Sequence, residues 1–266
     1  MLRITDPADP RLEAYQSLKV SDDPRRAGLF VAEGELVVRQ LLDSPFRVRS
    51  LLVTPAKAHL LAPLAHANNP DAEIFLADPA VIDRVIGYDF HRGVLALGQR
   101  GPDLNPLDLA AQAPLALVAQ GVSNFDNMGG LFRSLSALGP AGSCLLVAQG
   151  CCDPLYRKVI RVSMGHVLRV PFAPCPLDPP AIERLRSRGL VVAALTPHRS
   201  AIDLPEAARS LSGKRIALLV GAEGPGLPEE VIEASDLRVR IPMRAGVDSL
   251  NLVVAAGIAL HALHPH

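Results

Sequence analysis

Two stretches, Val191–Leu195 (VVAAL) and Ile216–Val220 (IALLV), constrain this chain of 266 residues more than any other feature. Five consecutive apolar residues give a strand no face for solvent, and both stretches lie between segments of helical spacing. A strand apolar on both faces has to be covered on both, which is the condition of a parallel sheet with helices above and below. From Pro114 the same alternation runs to the end of the chain. Strands are expected at Leu115–Ala119, Ser143–Val147, Val167–Val170, Leu190–Leu195, Arg215–Val220 and Leu237–Ile241. Helices are expected at Gly129–Leu138, Leu155–Val162, Ala181–Arg188, Glu229–Ala234 and Leu250–Leu263.

The first hundred residues carry a separate α/β pattern. Helical spacing covers Arg11–Lys19, Leu36–Leu42, Ala58–Ala67 and Pro79–Ile86, and strand character covers Leu29–Ala32, Val48–Val53, Glu73–Leu76 and Gly93–Leu97. Between the two patterns, Gln99–Ala113 (QRGPDLNPLDLAAQA) reads as a linker. The expected domains are therefore residues 1–98, a linker at 99–113, and residues 114–266.

Charge narrows the function classes. Lys+Arg and Asp+Glu both number 27, so binding nucleic acid through bulk positive charge is excluded, whereas a local patch is not. Arg157, Lys158, Arg161 and Arg169 form such a run with no acid among them, which on charge alone a solvated helix face explains more simply than a phosphate site. The four cysteines make no CxxC, and no HExxH or Cys/His cluster is present, so no metal is expected. The N-terminus has charges and prolines where a signal peptide needs an apolar core. The apolar run Leu252–Leu263 is short for a membrane span and interrupted by Gly257 and His261. The expected setting is the cytoplasm.

Three segments carry chemistry, each at the end of an expected strand. In Gln120–Gly139, Asn127, Gly129 and Gly130 are expected at a strand-to-helix turn with Arg133 one helical turn on, an arrangement suited to an anion or to an ordinary surface turn. In Leu218–Glu230, Gly221, Gly224 and Gly226 surround Pro225, and Glu223 sits among them at a strand's carboxyl end, where α/β proteins place their sites. In Arg240–Leu260, a strand ends at Ile241-Pro242-Met243, and Ser249-Leu250-Asn251 opens a helix of small apolar residues, with Ser249 as its expected cap.

Taken in order, these segments resemble the three motifs of the SpoU (TrmH-type) RNA methyltransferases of the SPOUT class. Asn127-x-Gly129-x-x-x-Arg133 is similar to the first, Gly221-x-Glu223-x-x-Gly226 to the second, and Ile241-Pro242-Met243 with Ser249-Leu250-Asn251 and Ala255 to the third. Ser163-Met164-Gly165 resembles the end of the family's intervening helix. Ala32-Glu33-Gly34 and His91-Arg92-Gly93-Val94 resemble the ends of the small α/β RNA-binding domain that precedes many of these enzymes. The resemblance implies a parallel-sheet domain with a C-terminal trefoil knot, a homodimer, and methyl transfer from S-adenosyl-L-methionine to a ribose 2′-hydroxyl of tRNA or rRNA. It implies a cofactor held at Leu195, Thr196, Gly221, Ala222, Ile241, Met243 and Leu250. It also implies catalytic roles for Arg133, Asn127, Glu223, Ser249 and Asn251, and RNA contact at Arg157, Lys158 and Arg161.

Because a guanidinium effectively does not deprotonate in proteins, an arginine at the first motif acts better as a phosphate clamp than as a base. The loop before Asn127 reads Ser123-Asn124-Phe125-Asp126, where many relatives have a proline, and Asp126 adds a negative charge there. The alternative is a non-catalytic module binding RNA or S-adenosylmethionine on the same fold. A chain of that kind would be expected to have lost Arg133, Glu223 or Asn251, and none is lost.

Overall fold

The chain is described by a computed structural model covering residues 1–16, 28–87, 92–198, 200–244, 246–247 and 249–264. Residues 17–19 of the expected first helix, and His91, lie outside the described residues. The chain divides into two compact units, one made of Met1–Pro102 with Pro154–Arg169, the other of Asp103–Asp153 with Val170–His266.

The first unit holds strands β1 (Leu2–Ile4), β2 (Leu29–Glu33), β3 (Val48–Val53), β4 (Glu73–Ala77) and β5 (Val94–Gln99) in the order β1-β4-β3-β5-β2. β1, β4 and β3 run parallel, while β5 is antiparallel to both β3 and β2. Helices α1 (Glu13–Gln16), α2 (Glu35–Leu42), α3 (Pro55–Asn68) and α4 (Pro79–Ile86) accompany the sheet. The core includes Leu52, Phe75, Ile82 and Tyr15, whose buried hydroxyl meets Ser50 Oγ at 2.8 Å. The later segment that joins this unit contains α7 in chain order (Arg157–Val162) and a 3-10 turn at His166–Leu168. Val167–Val170 was expected to be a strand, but Met164 and Gly165, both left-handed at φ 53° and 83°, turn the chain after α7 and leave only that short turn.

The second unit is built on seven strands: β6 (Leu115–Gln120), β7 (Cys144–Val147), β8 (Phe172–Pro174), β9 (Val191–Leu195), β10 (Ile202–Asp203), β11 (Ile216–Gly221) and β12 (Leu237–Arg240). Their order is β10-β12-β9-β11-β6-β7-β8, and every neighbouring pair is parallel. The all-apolar β9 and β11 lie side by side within it, as their composition requires. Its helices are α5 (Pro106–Gln112), α6 (Phe125–Leu138), α8 (Pro179–Ser187), α9 (Leu204–Leu211), α10 (Glu229–Ala234) and α11 (Leu252–Leu263).

Two expectations change here. Helix α5 occupies the stretch expected to be a linker. The Asn105 carboxamide accepts the backbone N–H groups of Leu107 (2.9 Å) and Asp108 (3.3 Å), with Pro106 at the first helical position. Arg215 then donates to the carbonyls of Ala110 (2.5 Å) and Ala113 (3.1 Å), fixing the helix end to this unit. Residues 196–214, to which no element was assigned, contain β10 and α9. Leu204, Ala207 and Leu211 bury one face of that helix.

Candidate active site

A cavity of ≈ 290 Å³ lies at the carboxyl ends of β9, β11 and β12, three adjacent strands. This is where parallel sheets present loops to a ligand, and the volume falls at the small end of the usual range, which starts at ~300 Å³. The loop after β9 contributes Leu195, Thr196 and Pro197. Thr196 donates its backbone N–H to Val239 O at 2.9 Å, tying this loop to β12. The loop after β11 contributes Gly221, Ala222, Glu223, Gly224 and Gly226, and the Gly226 N–H closes it onto Ala222 O at 3.0 Å. From the third segment come Ile241, Met243, Ser249 and Leu250, then Leu252 and Ala255 of α11.

Gly221 is fixed by packing. A Cβ there would stand 2.2 Å from the carbonyl carbon of Gly226 and 2.4 Å from the nitrogen of Leu227, both backbone atoms. The loop folds back on its own strand so closely that no side chain has room.

The polar groups of all three motifs converge on Asn251. Its Nδ2 donates to Glu223 Oε1 at 2.7 Å and to Asn127 Oδ1 at 3.3 Å, and its Oδ1 accepts the N–H groups of Val253 (3.0 Å) and Val254 (3.3 Å). Asn251, not Ser249, therefore caps α11, a contribution of about 1 kcal/mol. Glu223 Oε1 also lies 3.5 Å from the Leu252 N–H, so the carboxylate sits at the positive end of that helix. Ser249 is exposed and lines the cavity.

The first motif differs from expectation in its local structure. α6 starts at Phe125, because Asn124 Oδ1 accepts the N–H groups of Asp126 (2.8 Å) and Asn127 (3.4 Å). Asn127, Gly129 and Gly130 are thus inside the helix. A Cβ on Gly130 would lie 2.6 Å from Val253 Cγ2, so this glycine admits α11 and not a ligand. Asn127 is buried and reaches the site through Asn251. Arg133 is exposed on α6, makes no ion pair or hydrogen bond among the described residues, and is not part of the cavity wall. Arg157, Lys158 and Arg161 belong to the other unit.

The expected cofactor positions Leu195, Thr196, Gly221, Ala222, Ile241, Met243 and Leu250 are brought together around this one cavity. Sequence reasoning missed Pro197, Val220 and Leu252 as wall residues. Each directly adjoins a position that was named, so the signal was the strand end for Pro197 and Val220 and the helix start for Leu252. Burial pushes the thiols of Cys144 and Cys152 up to about 12 and also raises those of Cys151 and Cys175, so none supplies a thiolate at neutral pH. Among the described residues no group of His, Cys, Asp and Glu is placed to hold a metal ion, and no helix is long and apolar enough to cross a membrane.

This fold is that of a known class. Residues 114–261 match the model of the SpoU rRNA Methylase family. An uncharacterized tRNA/rRNA methyltransferase of Mycobacterium bovis is 41% identical over 263 residues, covering 97% of this chain and 90% of its own. The chain belongs to the SpoU family. The 23S rRNA (guanosine(2553)-2′-O)-methyltransferase RlmP of Bacillus subtilis is 23% identical over 265 residues, 99% of each chain. Among solved structures, the AdoMet-bound rRNA methyltransferase of Sinorhizobium meliloti superposes with a TM-score of 0.82 at 23% identity, over 98% of this chain and 96% of that one.

Proposed function

We propose that this chain transfers a methyl group from S-adenosylmethionine to a ribose 2′-hydroxyl of rRNA or tRNA, in the cytoplasm. The observation that carries this reading is the convergence of Asn127, Glu223 and Asn251, one from each motif, beside a cavity walled by three strand-end loops.

The wall suits the cofactor. Leu195, Val220, Leu250 and Leu252 offer apolar surface for a base, the loop backbones offer donors and acceptors, and the Glu223 carboxylate offers a counter-charge for a cation. When bound, the sulfonium cofactor supplies an activated methyl group for in-line displacement. The chain's own task is to hold the hydroxyl in line and assist loss of its proton. Asn251 fixes Glu223 and Asn127 in register. Arg133, exposed and without a protein partner among the described residues, clamps an RNA phosphate and stabilises negative charge developing nearby. Calorimetry should give one S-adenosylmethionine per chain. Binding of nicotinamide dinucleotide with no response to S-adenosylmethionine would refute the assignment.

Residues 1–98 serve RNA recognition in this reading, and the loops around Gly221 are threaded as a trefoil knot. We also infer a homodimer. Val254 and Ile258, 50% and 40% exposed, lie one turn apart on α11 and form an apolar stripe that a second copy would cover. Sedimentation at micromolar concentration should give about twice the 28.3 kDa chain mass, and Val254→Glu with Ile258→Glu should give monomer. A monomeric wild type would overturn the inference.

A further inference from the structure

Glu33 ends β2 with a side chain only 5% exposed, and two arginines from distant parts of the chain meet it. Arg92 Nε lies 3.5 Å from its Oε1, and Arg157 Nε lies 3.7 Å from its Oε2. Oε2 is buried and accepts no hydrogen bond among the described residues. A carboxylate placed there costs desolvation, which, among the described residues, the pair of guanidinium groups offsets. Two residues further on, Glu35 takes Lys57 at 2.8 Å and Arg39 at 3.1 Å. Four cations therefore converge on two carboxylates around the start of α2. Arg161, one turn along α7, is exposed and has no ion pair among the described residues.

The segment carrying Arg157 and Arg161 is seated firmly on this unit. A Cβ on Gly165 would stand 2.9 Å from Gln40 Cβ and 3.5 Å from Val37 Cα, so only glycine allows the segment to lie so close to α2. Arg169 then donates to Gln40 Oε1 at 3.3 Å. Residues 154–169 stand in sequence between the first and second motifs, yet their packing partners are β2 and α2.

We propose that Arg92, Arg157 and Arg161 form one docking site for the RNA sugar–phosphate backbone, and that Glu33 is its positioning residue. Glu33 meets both Arg92 and Arg157 through Nε and sets the spacing of their guanidinium groups, while Arg92 remains 49% exposed. The site is composite, drawing on the N-terminal segment and on the later one. It deepens the RNA-methyltransferase reading and rests on it.

The sign of one substitution separates positioning from bulk charge. Glu33→Gln removes a negative charge beside a basic cluster, so long-range attraction alone predicts tighter RNA binding. Positioning predicts weaker binding, because the two arginines lose their common anchor. The experiment uses the full chain and an unmodified ribosomal RNA transcript, with affinity measured across salt concentration. Glu33→Gln should weaken affinity about tenfold and raise the RNA concentration for half-maximal single-turnover transfer by the same factor. The rate at saturating RNA should stay within about threefold. Arg92→Gln and Arg157→Gln should each lower the salt slope by about one. Arg47→Gln, an equal charge change elsewhere on this unit, should stay within about twofold of wild type.

Equal or tighter binding by Glu33→Gln, with wild type active, would overturn the proposal alone. If Glu33→Gln fails to fold, unchanged salt slopes for both arginine variants would overturn it instead, and lowered slopes would support it. A wild-type chain that binds S-adenosylmethionine but neither binds nor methylates RNA would overturn the RNA reading and this site with it.

Discussion

Arg133→Ala should leave the protein folded and its cofactor affinity nearly unchanged, while methyl transfer falls by two to four orders of magnitude. The fold should survive because the side chain is exposed on α6 and makes no described contact that its loss would break. Cofactor binding should survive because the cavity wall consists of the loops after β9, β11 and β12 with the start of α11, and Arg133 is not in it. The loss in rate combines two effects of ~2–4 kcal/mol each, positioning of the hydroxyl and stabilisation of developing charge, which overlap and so do not simply add. Arg133→Lys should recover little, since a point charge on a flexible stem does not reproduce a planar fork. Single-turnover transfer of labelled methyl, with cofactor titration of each variant, decides the matter. Near-normal transfer by Arg133→Ala would refute the clamp. Loss of cofactor binding in step with activity would move Arg133 into the cofactor site.

Gly221→Ala should be the most damaging single methyl group in the second unit. The added carbon would fall 2.2 Å from the Gly226 carbonyl carbon, and a backbone atom cannot rotate away as a side chain can. Relief requires the whole loop to move. The cost should reach the upper end of overpacking penalties, about 3 kcal/mol, which for a chain of this size lowers Tm by roughly 6–12 °C. Cofactor affinity should fall by more than tenfold, because Gly221, Ala222 and Glu223 shift together. Gly224→Ala is the comparison. It meets nothing within 4 Å but is held at φ 90°, so it should show only the backbone penalty, on the order of 1 kcal/mol. Thermal unfolding and calorimetry of both variants test this. A Gly221→Ala protein that melts within a degree of wild type and binds cofactor normally would show that the loop is not so constrained.

What the sequence revealed and what it hid have separable causes. β9 and β11 were legible because a strand apolar on both faces has few alternatives. The cavity wall was legible because Gly221 and Ile241 occur at strand ends and Leu250 at a helix start, in motif order. The start of α6 was misplaced because Gly129 and Gly130 look like turn residues, and only the position of Val253, far along the chain, explains a glycine inside that helix. α5 was hidden by Pro102 and Pro106, although Asn105-Pro106 is a good helix start once Arg215 is seen to hold the other end. The pairing of Glu33 with Arg157 was beyond any local pattern. It joins residues more than a hundred positions apart, and no periodicity reports such a contact.

That residues 154–169 cover the N-terminal sheet also sets an order of events during synthesis. The first unit cannot be completed when residue 102 leaves the ribosome, because α7 and its buried Val159 and Ile160 have yet to be made. At ~5–20 residues per second, the missing piece arrives roughly 3–13 s later. By then β6 and β7 have also emerged, so the nascent chain carries two unfinished sheets at once. The exposed flank of β2 is a place where a chaperone, or a neighbouring nascent chain, could bind during that interval.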